Sequence, residues 1–117
     1  MRMGEGQNAD FTPVELLLAA LAACEGLTVE SLVAKRAEPV RFDMRVDADK
    51  VKDQDGSHLV DIVVSLDVAF PDDEAGRKAE SRLEVAMSMT HEKLCSVGRT
   101  ITLATDHDFV RQSSGAQ

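Results

Sequence analysis

The stretch Leu16–Cys24, LLLAALAAC, is apolar on every side of the helix it predicts, and it constrains the fold more than any other segment. A helix that is apolar all round must be covered all round. Its start is well marked. Thr12 is a good N-cap, Pro13 suits the first helical position, and Glu15 completes a capping box. Phe11 and Leu16 flank the cap as a hydrophobic staple. Leu27, Val29, Leu32 and Val33 prolong the apolar pattern, and Lys35 or Arg36 suits the helix end before Pro39. A chain of 117 residues fits a single domain over residues 1–117, and one layer of sheet covers only one side of such a helix. Cover from a partner subunit is the simplest remedy.

The remaining elements follow from periodicity. Phe42, Met44, Val46 and Ala48 alternate with Asp43, Arg45, Asp47 and Asp49, the period of a half-buried strand. Lys50–Ser57 reads as a turn centred on Asp55-Gly56. Val60, Ile62, Val64, Leu66, Val68 and Phe70 then place six apolar residues on one face of a second strand. Pro71 ends it, and Asp72 or Asp73 caps an amphipathic helix carrying Ala79, Leu83, Ala86, Met87, Thr90 and Leu94, which stops near Cys95. Ile101–Ala104 predicts a last strand reaching toward Val110. Residues 1–10 read as an irregular arm and 112–117 as a flexible tail. The order helix, strand, strand, helix, strand indicates an α+β domain.

Charge narrows the partners. The formal net charge is −8, which opposes binding to nucleic acid or to an anionic lipid surface. Residues 1–8 carry no apolar signal core, and nine apolar residues fall far short of the roughly 20 a membrane span needs. The expected location is the cytoplasm, where two cysteines rest as thiols and a disulfide is transient.

Cys24 and Cys95 are the only thiols and belong to no local CxxC pair. On composition alone Cys24 is a small core residue. Cys95 lies at a helix junction with Lys93 and Arg99 nearby, a setting that lowers a thiol pKa. His58, His91 and His107 lack the short ligand spacings of zinc sites, so no metal or other cofactor is expected. Gly4-Glu5-Gly6 has neither the preceding strand nor the Lys-Ser/Thr of a phosphate loop, and no GxSxG is present.

Thr12–Cys24, TPVELLLAALAAC, resembles the first-cysteine helix of the OsmC/Ohr family (osmotically inducible protein C and organic hydroperoxide resistance proteins). His91–Val97, HEKLCSV, resembles that family's second-cysteine segment, and the hairpin and amphipathic helix between them occur in the family's order. The resemblance covers about residues 9–110. It implies an OsmC-like α+β fold, with a long buried central helix and a second helix packed on antiparallel sheet in an intertwined homodimer. It also implies a thiol-dependent hydroperoxide reductase of oxidative stress defence. Cys24 would be the peroxidatic thiol and Cys95 the resolving one, with a small-molecule peroxide and a dithiol reductant as reaction partners.

Two departures from the family pattern bear on activation. The Glu that follows the helix-start Pro in the family is Val14 here, and Glu15 reads as the capping acid. The family's N-terminal strands and their Arg have no counterpart upstream of Phe11, since Arg2 does not match. Arg99 is the nearest cation by sequence, with a plain surface role as its simpler reading. A non-catalytic protein that binds a small apolar ligand in the dimer cleft, and a redox sensor, therefore stand as alternatives.

Overall fold

A computed structural model describes residues 11–112; the expected arm, and all of the expected tail but residue 112, lie outside them. Helix α1 spans Pro13–Val33, strand β1 Arg41–Asp53, strand β2 Gly56–Ala69, helix α2 Glu74–Met89 and helix α3 Ser96–Thr102. A π-helical turn, Thr90–Leu94, joins α2 to α3.

The capping box of α1 forms in both directions. The Thr12 N–H donates to Glu15 Oε1 at 2.9 Å, and the Glu15 N–H donates to Thr12 Oγ1 at 3.2 Å. Both groups of Thr12 hold the Glu15 carboxyl below its ordinary pKa, the backbone N–H most strongly. Helical geometry ends at Val33, and Ala34–Arg36 form a turn, so the helix stops slightly before the expected cations.

β1 and β2 form an antiparallel hairpin, longer than expected because Lys50, Val51 and Lys52 pair rather than turn. Asp53 faces Gly56 across a two-residue loop, and Gly56 takes φ 128°, a conformation side chains disfavour. The six-residue apolar face of β2 needs correction. Asp47 pairs with Val63 but Asp49 pairs with Val60, so β2 carries one extra residue there, with Asp61 at φ 54°. Such a bulge exchanges the faces of a strand on its two sides. Val64, Leu66 and Val68 stand opposite Val46, Met44 and Phe42, whereas Val60 stands opposite the outward Asp49. Phe70 lies just past the strand and still packs on the core.

The core centres on Val29 and Val33 of α1 and Ala86 of α2, with Leu32, Phe42, Leu66, Phe70 and Leu83 packed around them. It is small. Val14, Leu17 and Leu27 of α1 remain exposed, so this chain covers one side of a helix that is apolar on all sides. The Cα radius of gyration is 18.4 Å, against about 13 Å for a compact domain of this length. Among the described residues α1 is also the one helix long and apolar enough to cross a membrane, although it packs on α2 and β1 as a core helix does.

The expected last strand is absent from the described residues. Ser96–Thr102 is helical, and no strand follows it up to residue 112. Val97, Ile101 and their Thr neighbours favour strands only weakly, and that preference yields to local hydrogen bonds. Cys95 adopts extended geometry (φ −86°, ψ 104°) as the N-cap, and the Thr100 hydroxyl donates to the Ser96 carbonyl at 2.8 Å.

Candidate active site

Leu17, Ala20, Cys24, Leu27 and Ser31 recur at spacings of three and four, so they share one stripe of α1. The opposite stripe, Ala22, Gly26, Val29 and Val33, is buried in the core. Cys24 is half-buried while Leu17 and Leu27 on its stripe are exposed. The local difference is the packing of the π turn and α3 against α1.

That packing brings the two cysteines together. Cys95 is fully buried, and its thiol adjoins Cys24 closely enough for each to influence the other's ionisation. The π turn sets the approach. The Cys95 N–H donates to the Thr90 carbonyl at 2.9 Å, and Arg99 Nη1 donates to the Glu92 carbonyl at 3.0 Å, tying the turn to α3. One residue beyond an α-helical turn rotates the downstream chain about the helix axis, which is why π turns recur at functional sites.

The first N–H groups of a helix have no partner within it. In α3 the Cys95 sulfur takes one of them. The N–H of Gly98 donates to Cys95 Sγ at 3.2 Å, and the backbone of Val97 and, more weakly, of Ser96 favours the thiolate of Cys24. The Val97 N–H is the largest influence lowering the Cys24 pKa, followed by the Cys95 thiol. Partial burial and the Glu25 carboxylate oppose them. The Cys95 pKa moves up, mainly through burial and then through the neighbouring Cys24, with the Gly98 N–H opposing. Of the pair, Cys24 is therefore the thiol that ionises more readily, while Cys95 is held toward its protonated form. A Cβ at Gly98 would lie 3.3 Å from Cys95 Sγ, a tight contact, and 3.5 Å from a methyl of Leu21, an ordinary one, so α3 packs closely on both.

Two residues outside the sequence-level site line the same region. Glu25, directly after Cys24, has a side chain only 16% exposed, and its Oε2 lies 3.4 Å from His91 Nδ1. Both border a groove of about 320 Å³ that runs past Gly98 between α1, β2 and α3. The signal for Glu25 was present as the first charge after a nine-residue apolar run; His91 gave none beyond its place near Cys95. Among the described residues, no three His, Cys, Asp or Glu side chains cluster as a metal site.

The family model for OsmC-like proteins matches residues 4–109. The chain belongs to the OsmC-like family. Uncharacterized proteins of Mycobacterium tuberculosis and Mycobacterium bovis are 33% identical to it over 103 residues, which is 86% of this chain and 72% of theirs. An OsmC-like protein of unknown function from Vibrio cholerae shares its fold with a TM-score of 0.65 at 22% identity. That match covers 79% of this chain, which spans only 59% of the Vibrio protein. A hypothetical protein from Aquifex aeolicus also matches at TM-score 0.65 and 22% identity, over 85% of this chain and 70% of its own.

In this OsmC-like chain the positions expected to lack activating side chains are placed accordingly. Val14 is exposed, Glu15 is engaged by Thr12, and Arg99 holds the Glu92 carbonyl. Arg2 lies outside the described residues. Among the described residues, the groups that favour the Cys24 thiolate are backbone N–H donors and the second thiol, with no cation.

Proposed function

We propose that this chain is a thiol-dependent hydroperoxide reductase of a reducing, cytoplasmic compartment, acting through a Cys24–Cys95 cycle. The observation that carries the reading is that the π turn and α3 pack on α1 and bring a buried Cys95 beside Cys24, whose thiolate is the more favoured of the two. The Cys24 thiolate attacks the terminal oxygen of the hydroperoxide. An S–O bond forms as the O–O bond breaks, and the alkoxide leaves as the alcohol after taking a proton from water. Cys95 then loses its proton and attacks the sulfenic sulfur, so that the disulfide forms and water departs. A dithiol reductant restores both thiols by two exchange steps.

The exposed stripe of α1 supports a homodimer as the working form. Leu17 and Leu27 flank Cys24 on that stripe at 44% and 57% exposure, so a second copy seated there would bury them and shield the thiol from bulk water.

Stopped-flow oxidation tests the proposal. Organic hydroperoxide should oxidise the protein far faster than free cysteine and yield a Cys24–Cys95 disulfide by mass spectrometry. Cys24→Ser should abolish the reaction, and Cys95→Ser should stop it at the sulfenic acid. Oxidation no faster than that of free cysteine defeats the enzymatic reading.

A further inference from the structure

Most acid–base side-chain pairs of this chain lie within one part of the fold. Arg41–Asp67 and His58–Asp53 belong to the hairpin, Arg45–Asp47 runs along β1, and Arg77–Asp72 and Lys78–Glu74 lie at the start of α2. Glu25–His91 differs. Among the described residues it is the one such pair that joins α1 to another element, with Glu25 Oε2 3.4 Å from His91 Nδ1. Its anchor is the Glu25 side chain, 16% exposed, and the imidazole closes over it from the solvent side. Glu25 directly follows Cys24, and His91 is the second residue of the π turn that leads into Cys95. The pair thus spans the same contact that brings the two thiols together.

We propose that Glu25 and His91 are positioning residues whose contact clasps the π turn to α1 and so holds Cys95 where it can close a disulfide with Cys24. The proposal deepens the two-thiol reading and rests on that disulfide forming, whichever oxidant acts. A bond within one molecule forms in proportion to the effective concentration of one group at the other, which falls when the segment carrying either is loosened. The turn transmits the clasp over a short path, because the Thr90 carbonyl next to His91 accepts the Cys95 N–H at 2.9 Å. A carboxylate largely removed from water also needs a partner, which draws the imidazole toward it. The same carboxylate works against the thiols as nucleophiles, since it opposes ionisation of both. Removing it therefore moves two properties in opposite senses. Cys24 ionises more readily, and the disulfide forms less readily.

Two measurements on the full chain test the clasp. One is the equilibrium between dithiol and disulfide in mixtures of reduced and oxidised dithiothreitol, in which the protein's two thiol hydrogens pass to dithiothreitol as one disulfide forms and another breaks. The other is the rate at which iodoacetamide alkylates Cys24 at one fixed neutral pH. His91→Ala should weaken the disulfide by about threefold, the scale of a partly exposed acid–base pair. Glu25→Ala and Glu25→Gln remove the same charge, so both should alkylate faster than the wild type. Only the glutamine keeps a hydrogen-bonding partner for His91, so its disulfide should be about threefold stronger than that of the alanine variant. Adding His91→Ala to Glu25→Ala should weaken the disulfide little further, because the contact is already gone. Equal disulfide strength in Glu25→Gln and Glu25→Ala, or in His91→Ala and the wild type, overturns the clasp while the two-thiol reading stands. A wild type that forms no Cys24–Cys95 disulfide at any dithiothreitol ratio overturns both.

Discussion

Thr90 opens the π turn that aims Cys95, and its hydroxyl is the one buried side-chain polar atom without a hydrogen-bond partner among the described residues. The residue is 1% exposed. A buried hydroxyl left unmatched costs about 1–3 kcal/mol in lost hydration. Thr90→Val removes the hydroxyl and keeps the branched shape, and the two residues have similar helix propensity. The variant should therefore gain about 1–2 kcal/mol of stability. For a domain of this length each kcal/mol moves Tm by roughly 4 °C, so the expected rise is about 4–8 °C. Thr90→Ser brackets the effect from the other side. It keeps the unmatched hydroxyl and deletes a buried methyl, for a loss of about 1 kcal/mol or slightly more. The assay is thermal unfolding of the three proteins by circular dichroism at one protein concentration, because dimerisation would make Tm concentration-dependent. An unchanged or lowered Tm in Thr90→Val would refute the reasoning and show that the hydroxyl is bonded in solution.

Two further outcomes rest on named contacts. Gly76→Ala should destabilise the protein by about 1–3 kcal/mol in chemical denaturation, because its Cβ would collide with the Pro71 carbonyl and displace the Asp73 cap; the usual gain of alanine over glycine in a helix predicts the reverse sign. Cys24 should ionise below an ordinary thiol and Cys95 above it, so alkylation at mildly alkaline pH should modify Cys24 first; Cys95→Ala removes a donor to the thiolate and should shift the Cys24 alkylation profile to higher pH, and an unmoved profile would deny the contact.

Much of the fold was legible wherever local chemistry and periodicity agreed. The capping box at Thr12 and Glu15, the alternation through Phe42–Ala48 and the amphipathic spacing of α2 each depend on residues close in sequence. Two of the misreadings lie where hydrogen bonding and strand register overrule such patterns. Ile101–Ala104 looks like a strand by composition, yet Cys95 caps a helix there because its Sγ accepts the Gly98 N–H. Val60 continues an alternating run, yet the bulge at Asp61 moves it to the other face.

The sequence by itself determined that α1 is apolar all round, that its start is capped, and that two thiols sit in segments resembling those of OsmC-like proteins. Only the tertiary structure decided how those thiols differ. Residues 71 positions apart in the chain meet because the π turn and α3 fold back onto α1. Backbone N–H groups have no signature in side-chain sequence, so their part in favouring the Cys24 thiolate appears only when α3 is placed. The same holds for Glu25 and His91, which become a pair only across the contact between α1 and the π turn.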